Sequence, residues 1–260
     1  MNITLGFLLT IISGLSTLIG IVPIFLNIKN INRFISFSLS FSSGVMFSIS
    51  LFDLFPESIK SFSNNYNLMV SFFLFFFLFL AGFLLSQLIN KKVNTSNKLY
   101  KVGIVSMIAI ILHNIPEGIL TFIATNLNVK FGLSLTLAIA MHNIPEGIAI
   151  SVPIYYSTGN KFKTFLYVLI SSLSEPLGAL LSFLFFKQLN NQLFLGIVFS
   201  LVCGIMIYIS LFELLKESKK YLFFTLGIIF MFCILKIWEL ILIFYSLIRI
   251  SFFHFFINFI

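Results

Sequence analysis

Apolar runs separated by short polar stretches recur along almost the whole chain. A helix that crosses the hydrocarbon core needs about 20 apolar residues. Eight runs are long enough: 3–26, 34–56, 68–89, 102–125, 131–155, 164–186, 193–215 and 222–248. The pattern predicts an all-α polytopic membrane protein of eight transmembrane helices, with residues 1–260 forming a single transmembrane domain. A last apolar piece, 250–260, is too short to cross and is expected to lie at the interface, with its His254 incidental. No basic stretch precedes the first run, which is therefore read as helix 1 and not as a cleaved signal.

Composition agrees with that reading. Hydrophobic residues make up 59% of the chain and charged ones 9%, with a mean hydropathy of +1.10, a balance that no soluble domain could bury in one core. The phenylalanine cluster from Phe72 to Phe79 is expected to face lipid. The net charge of +8 does not point to nucleic acid, because the basic residues flank membrane spans, where they set orientation. The odd-numbered loops hold eleven of them (Lys29, Arg33, Lys91, Lys92, Lys98, Lys101, Lys161, Lys163, Lys216, Lys219 and Lys220). The even loops and C-terminal end hold four: Lys60, Lys130, Lys187 and Arg249. Positive residues favour the cytoplasmic face, so both termini are expected outside the cytoplasm. Cys203 and Cys233 fall in predicted spans without CxxC or Cys/His spacing and read as small packing residues.

Two internal repeats narrow the picture. Ser42–Ser58 reads SSGVMFSISLFDLFPES and Val202–Ser218 reads VCGIMIYISLFELLKES, a recurrence at a spacing of 160. Helix 2 thus returns as helix 7, and because the step from one to the other is an odd five helices, the copies run antiparallel. The expectation is an inverted repeat of helices 1–3 and 6–8 around central helices 4 and 5, an arrangement of secondary transporters with a midplane site.

The second repeat carries chemistry. His-Asn-Ile-Pro-Glu-Gly occurs at His113–Gly118 and at His142–Gly147, 29 positions apart, each inside an apolar run. A charged side chain at the bilayer centre costs about 2.5–3.5 kcal/mol even on insertion scales. Residues four apart share a helix face, so His113 points with Glu117, and His142 with Glu146. Pro116 and Pro145 remove amide protons and free the carbonyls of Leu112 and Met141, while Gly118 and Gly147 permit close helix approach. In predicted helix 6, SSLSEPLG places Glu175 beside a proline at mid-span.

Three glutamates at one depth repel one another unless a cation or protons intervene. Imidazole and carboxylate without thiolate suit zinc, iron, manganese, cobalt or cadmium, and suit calcium or magnesium poorly. Asn114 and Asn143 can be ligands or interhelical glue. Asp53 with Glu57, and Glu213 with Glu217, form i,i+4 acid pairs at the ends of oppositely directed helices. By the charge count the first faces outside and the second the cytoplasm. Each pair reads equally well as a cation relay or as a solvated helix end. Lys236 and Glu239 are spaced to pair with each other.

These motifs resemble the ZIP (Zrt/Irt-like) family of divalent-metal transporters, in its short bacterial branch. The match lies in H-N-x-P-E-G on helices 4 and 5, S-E-P-L-G on helix 6 and the eight-helix layout. The resemblance implies one metal held by His113, Glu117, His142 and Glu146, and an adjoining second site of Asn114, Glu117, Asn143, Glu146 and Glu175. It implies no resident cofactor, only a transported cation moved inward across the plasma membrane by an alternating-access or elevator-like shift, and a homodimer. Many members carry a histidine-rich loop between helices 3 and 4; here that loop, KKVNTSNKLYK, has no histidine. The rival reading is an intramembrane metal-dependent hydrolase, which needs an open water position on the metal. HExxH is absent. A passive cation channel differs from a carrier in kinetics more than in residues.

Overall fold

A computed structural model describes residues 2–185 and 191–237. Lys187, Glu239, the segment 250–260 with His254, and the end of the eighth expected span lie outside the described residues.

The described residues are helical, with no strand among them. Seven helices are long and apolar enough to cross a membrane: α1 (Ile3–Phe25), α2 (Ile31–Ser63), α3 (Leu68–Lys92), α4 (Lys98–Leu127), α5 (Val129–Thr158), α6 (Lys161–Leu184) and α7 (Gln192–Ser218). An eighth apolar helix, α8, is described over Tyr221–Ile237. Asparagine side chains cap the starts of α2 through α7, each accepting from backbone amides of the first turn. Such caps satisfy donors that a helix end otherwise leaves bare at the membrane boundary.

The helices sort into two groups by contact. α4 and α5 pack along each other and against α1 and α6, while α3 packs along α7, and α2 along α7. α2 also touches α5, which joins the groups. Close approaches rest on glycine. A Cβ on Gly44 of α2 would lie 2.1 Å from the Phe224 carbonyl oxygen of α8, and one on Gly204 of α7 would lie 2.0 Å from that of Phe79 of α3.

Two of the six phenylalanines in the Phe72–Phe79 cluster depart from the expected role. Phe72, Phe73, Phe76 and Phe77 are exposed. Phe75 and Phe79 instead turn inward onto the core, with Phe75 edge-on to Phe55 of α2 at 4.8 Å. The helical period splits a continuous aromatic run into a lipid-side face and a packing face.

Three spans change winding along their length, and a fourth, α6, is interrupted by a turn at Leu173. α1 is α-helical to Ser16 and 3₁₀ from Thr17 to Phe25. α2 contains a π turn at Ser50–Leu54, and α7 one at Ile209–Leu215. These π turns fall at matching places of the 160-residue repeat. They also exchange bonds across the contact: the Ser43 hydroxyl donates to the Ser210 carbonyl at 2.7 Å, and the Cys203 thiol donates to the Ser50 carbonyl at 3.3 Å. Ser43 corresponds to Cys203 and Ser50 to Ser210 at that spacing, so the two bonds are reciprocal. Cys203 is buried as expected, but it is a donor as well as filler, whereas Cys233 is exposed.

Asp53 sits in the π segment of α2 and Glu57 in the α-helix that resumes after it. Glu57 pairs with Lys60 at 3.0 Å, and Asp53 lies within electrostatic reach of Glu57 as well as of the histidines of α4 and α5. α2 is also longer than the expected 34–56. Pro56 sits in the first turn of the helix that resumes after the π segment, where its missing amide is no loss.

Candidate metal centre

A single residue, Asn128, joins α4 to α5 and caps the second with its side chain. His113 lies 15 residues before it and His142 14 residues after it, placing both about 21–23 Å from the turn at about 1.5 Å per residue. The tight turn therefore sets the two hexapeptides side by side at one depth. Both helices stay α-helical through Pro116 and Pro145, and the Pro145 carbonyl accepts from Ser42 of α2 at 2.7 Å.

The seven residues singled out in α4, α5 and α6 are all buried, the most accessible being Glu117 at 7%. Glu117 Oε1 lies 2.8 Å from His142 Nε2 and 3.1 Å from His113 Nε2. Ligand atoms of His113, Glu117 and His142 all fall within 4.8 Å of one another, a spacing that can hold a metal ion. Glu146 Oε1 approaches His113 Nε2 at 3.5 Å. Beside this locus His113 Nδ1, Glu117 Oε2, Glu146 Oε2 and the amide oxygens of Asn114 and Asn143 have no hydrogen-bond partner among the described residues, and His113 Nε2 and Glu146 Oε1 have only ion-pair neighbours within the cluster. Buried polar atoms are normally paired, so this concentration fits a site completed by a cation.

Glu175 is held differently. Ser13 of α1 donates to its Oε2 and the Asn143 amide to its Oε1. Asn143 also donates to the Ser13 carbonyl at 2.9 Å, and Asn114 to the Ser171 carbonyl at 3.3 Å. The asparagines thus glue helices with their amide nitrogens, while their oxygens have no hydrogen-bond partner among the described residues. Glu175 is not in the His113–Glu117–His142 cluster but is linked to it through Asn143.

Ser13 escaped the sequence reading, and so did its surroundings. Ser13, Ser16, Thr17 and Gly20 stand, 158 residues earlier, where Ser171, Ser174, Glu175 and Gly178 stand in α6. The contacts match too. A Cβ on Gly118 would lie 2.0 Å from the Glu175 carbonyl oxygen, and one on Gly147 2.0 Å from that of Thr17. Only small residues allow such contact. The signal was present as SGLSTLIG against SSLSEPLG, but the first carries no ionisable residue to draw notice.

Of the four acids outside this locus, Asp53 is exposed and lies within electrostatic reach of His142, Glu117 and His113. Glu213 is buried and faces Lys101, Lys216 and the Tyr208 hydroxyl, which itself accepts from Asn90 at 2.9 Å. Glu57 is exposed beside Lys60, and Glu217 is exposed near Glu213.

Seven helices long and apolar enough to cross a membrane, with two histidines and three glutamates buried among them, fit a multi-pass membrane protein with a site that can hold a cation. Residues 90–235 match the family described as ZIP Zinc transporter. A zinc transporter ZupT of Oceanobacillus iheyensis is 39% identical over 241 residues, covering 85% of this chain and 90% of that protein. Those of Clostridium perfringens and Campylobacter jejuni are each 36% identical, over 252 and 259 residues, covering 85% of this chain and 88% and 89% of theirs. The chain belongs to the ZIP family of zinc transporters.

Proposed function

We propose that this chain is a secondary transporter that carries zinc, and with it iron, manganese, cobalt or cadmium, into the cytoplasm through a midplane site. The observation that carries the proposal is the meeting of His113, Glu117 and His142 around one point in the membrane, with unpaired donors beside them. His113, Glu117, His142 and Glu146 hold one ion. Asn114, Glu117, Asn143, Glu146 and Glu175 form the adjoining position, Glu117 and Glu146 serving both. Asp53 and Glu57 collect the cation, and Glu213 and Glu217 pass it on. No named relative favours the hydrolase reading. Metal uptake by the purified protein in liposomes, with a competing-ion panel, tests the function; absence of uptake for every divalent ion would refute it.

The whole chain acts as one transporter domain of eight transmembrane helices in the plasma membrane, with both termini outside the cytoplasm and a homodimer as the assembly. An inverted repeat of helices 1–3 and 6–8 around helices 4 and 5 is supported by the paired π turns, the reciprocal bonds of α2 with α7, and the matched glycine contacts of α1 and α6. The division into α1, α4, α5 and α6 against α2, α3 and α7 supplies two bodies for an elevator-like shift.

Orientation is open to a direct check. In a Cys203→Ser, Cys233→Ser background, a cysteine at exposed Ser96 in the α3–α4 loop is expected to react with an impermeant maleimide only from the cytoplasmic side. One at exposed Asn65 in the α2–α3 loop is expected to react only from outside. The reverse pattern overturns the topology and the roles of both acid pairs.

Metal affinity is expected to fall with pH. Histidine ligates only as neutral imidazole, so protons compete with the ion as the pH falls. Direct binding in detergent between about pH 7.5 and 5.5, wild type against a His113→Ala, His142→Ala double variant, measures it. A flat wild-type affinity would remove these side chains from the ligand set.

A further inference from the structure

At one end of α1 and α6 lies a groove of about 380 Å³, open on one side and lined by Leu18, Ile21, Val22, Phe25, Phe162 and Phe165, with Lys161 at its edge. Its size is that of a ligand site of about 300–1,000 Å³. Its lining is apolar except for one ammonium group, and Lys161 Nζ sits 4.7 Å from the centre of the Phe25 ring. Val22, Phe25, Phe162 and Phe165 are exposed, as is Lys161, so the groove faces outward from the bundle and not toward the metal centre.

Position and charge identify the occupant. Phe25 ends α1, and Lys161 begins α6 after the left-handed turn at Gly159, so the mouth lies at a membrane boundary and the groove runs inward along the apolar part of both helices. Lys29 and Arg33 follow Phe25 in the next loop and the start of α2, and Lys163 follows Lys161. No carboxylate pairs with Lys161 among the described residues. Lys163 is turned aside, its Nζ 4.6 Å from the Tyr100 ring centre and 5.6 Å from that of Tyr167. An uncompensated cation above an apolar trough complements a molecule with an anionic head and a hydrocarbon tail. The loops at this face carry the chain's basic excess, which places it against the leaflet richest in anionic lipid.

We propose that this groove binds one anionic glycerophospholipid, its acyl chain between α1 and α6 and its phosphate on Lys161. The bound chain would lie along Thr17–Phe25, the 3₁₀ stretch whose Gly20 touches Gly147 of the second hexapeptide helix. Lipid at this groove therefore presses on the same helix pair that borders the metal centre, yet binding it requires no metal and no transport.

The test is native mass spectrometry of the full chain released from detergent with phosphatidylglycerol or phosphatidylcholine of matched acyl chains, without metal. Wild type is expected to retain one phosphatidylglycerol in preference to phosphatidylcholine by roughly fivefold, the scale of one lysine at an anionic surface. Lys161→Gln is expected to remove the preference, Lys163→Gln to leave it, and Val22→Trp, which fills the trough from an exposed position, to lower retention of both lipids. A phosphatidylglycerol with a photoreactive acyl chain, cross-linked and mapped by digestion, is expected to label residues 18–25 and 162–165. Equal retention of the two lipids, equal loss in Lys161→Gln and Lys163→Gln, labelling spread evenly over the exposed face of α3, or a dimer that Val22→Trp dissolves would each overturn the proposal. The last would assign the groove to a second copy of the chain. Because no arm of the experiment uses zinc, its failure leaves the transport reading untouched, and failure of transport leaves the lipid site standing.

Discussion

Glu117→Ala is expected to abolish zinc uptake and to weaken zinc binding by at least about a hundredfold. Glu117 is the residue that touches both histidines, at 2.8 and 3.1 Å, and it is shared by both proposed metal positions. Removing one partner from a buried charged set costs about 3–5 kcal/mol, and each 1.4 kcal/mol is about tenfold. Glu146→Ala is expected to match it in transport, since its carboxylate makes no hydrogen bond among the described residues and approaches His113 Nε2 at 3.5 Å. Asn114→Ala should leave partial activity, because its amide bond to Ser171 is long at 3.3 Å and only its oxygen is available as a ligand. Uptake assays in proteoliposomes with binding by calorimetry separate the cases; equal and mild losses in all three variants would end the shared-site scheme.

The second large effect is on folding. Gly118→Val is expected to prevent stable assembly. Its Cβ would stand 2.0 Å from the Glu175 carbonyl oxygen, and the facing Gly178 would place its own Cβ 2.1 Å from the Ile115 carbonyl oxygen. Neither neighbour is a flexible side-chain tip, so α4 and α6 must separate; overpacking alone costs about 1–3 kcal/mol, and here the lost glycine contact also carries the packing between two helices of the site. Gly159→Ala is the control. Its φ of +66° strains a side chain, but nothing lies within 4 Å of the added Cβ, so the cost is confined to about 1–2 kcal/mol of backbone strain. Thermal unfolding in detergent, with expression yield, reads both; equal stabilities would contradict the close contact of α4 with α6.

The sequence made the central residues legible because charge in an apolar run is conspicuous. His113, Glu117, His142, Glu146 and Glu175 announce themselves against their surroundings, whereas the runs 102–125 and 131–155 leave a wider gap than the single residue Asn128 that joins α4 to α5. The contribution of α1 was hidden for the opposite reason. Ser13 and Thr17 look like the small polar residues any membrane helix uses for packing, and only contact with Glu175 and Gly147 gives them a part. The π turns were hidden as well. No residue type encodes an inserted residue; it arises from how α2 and α7 fit together. The phenylalanine run misled in a third way, since composition alone does not say that Phe75 and Phe79 turn toward the core.

The exchanged bonds between α2 and α7 have a mechanical meaning. Ser43 holds the Ser210 carbonyl and Cys203 holds the Ser50 carbonyl, so a rigid slide of one helix along the other stretches both at the same moment. No position exists in which one grip carries the load while the other rests. The seam therefore behaves as a double latch that is engaged or released as a unit, and because one of its hooks is a thiol, a weaker donor than a hydroxyl, its strength is set by the hydroxyl hook.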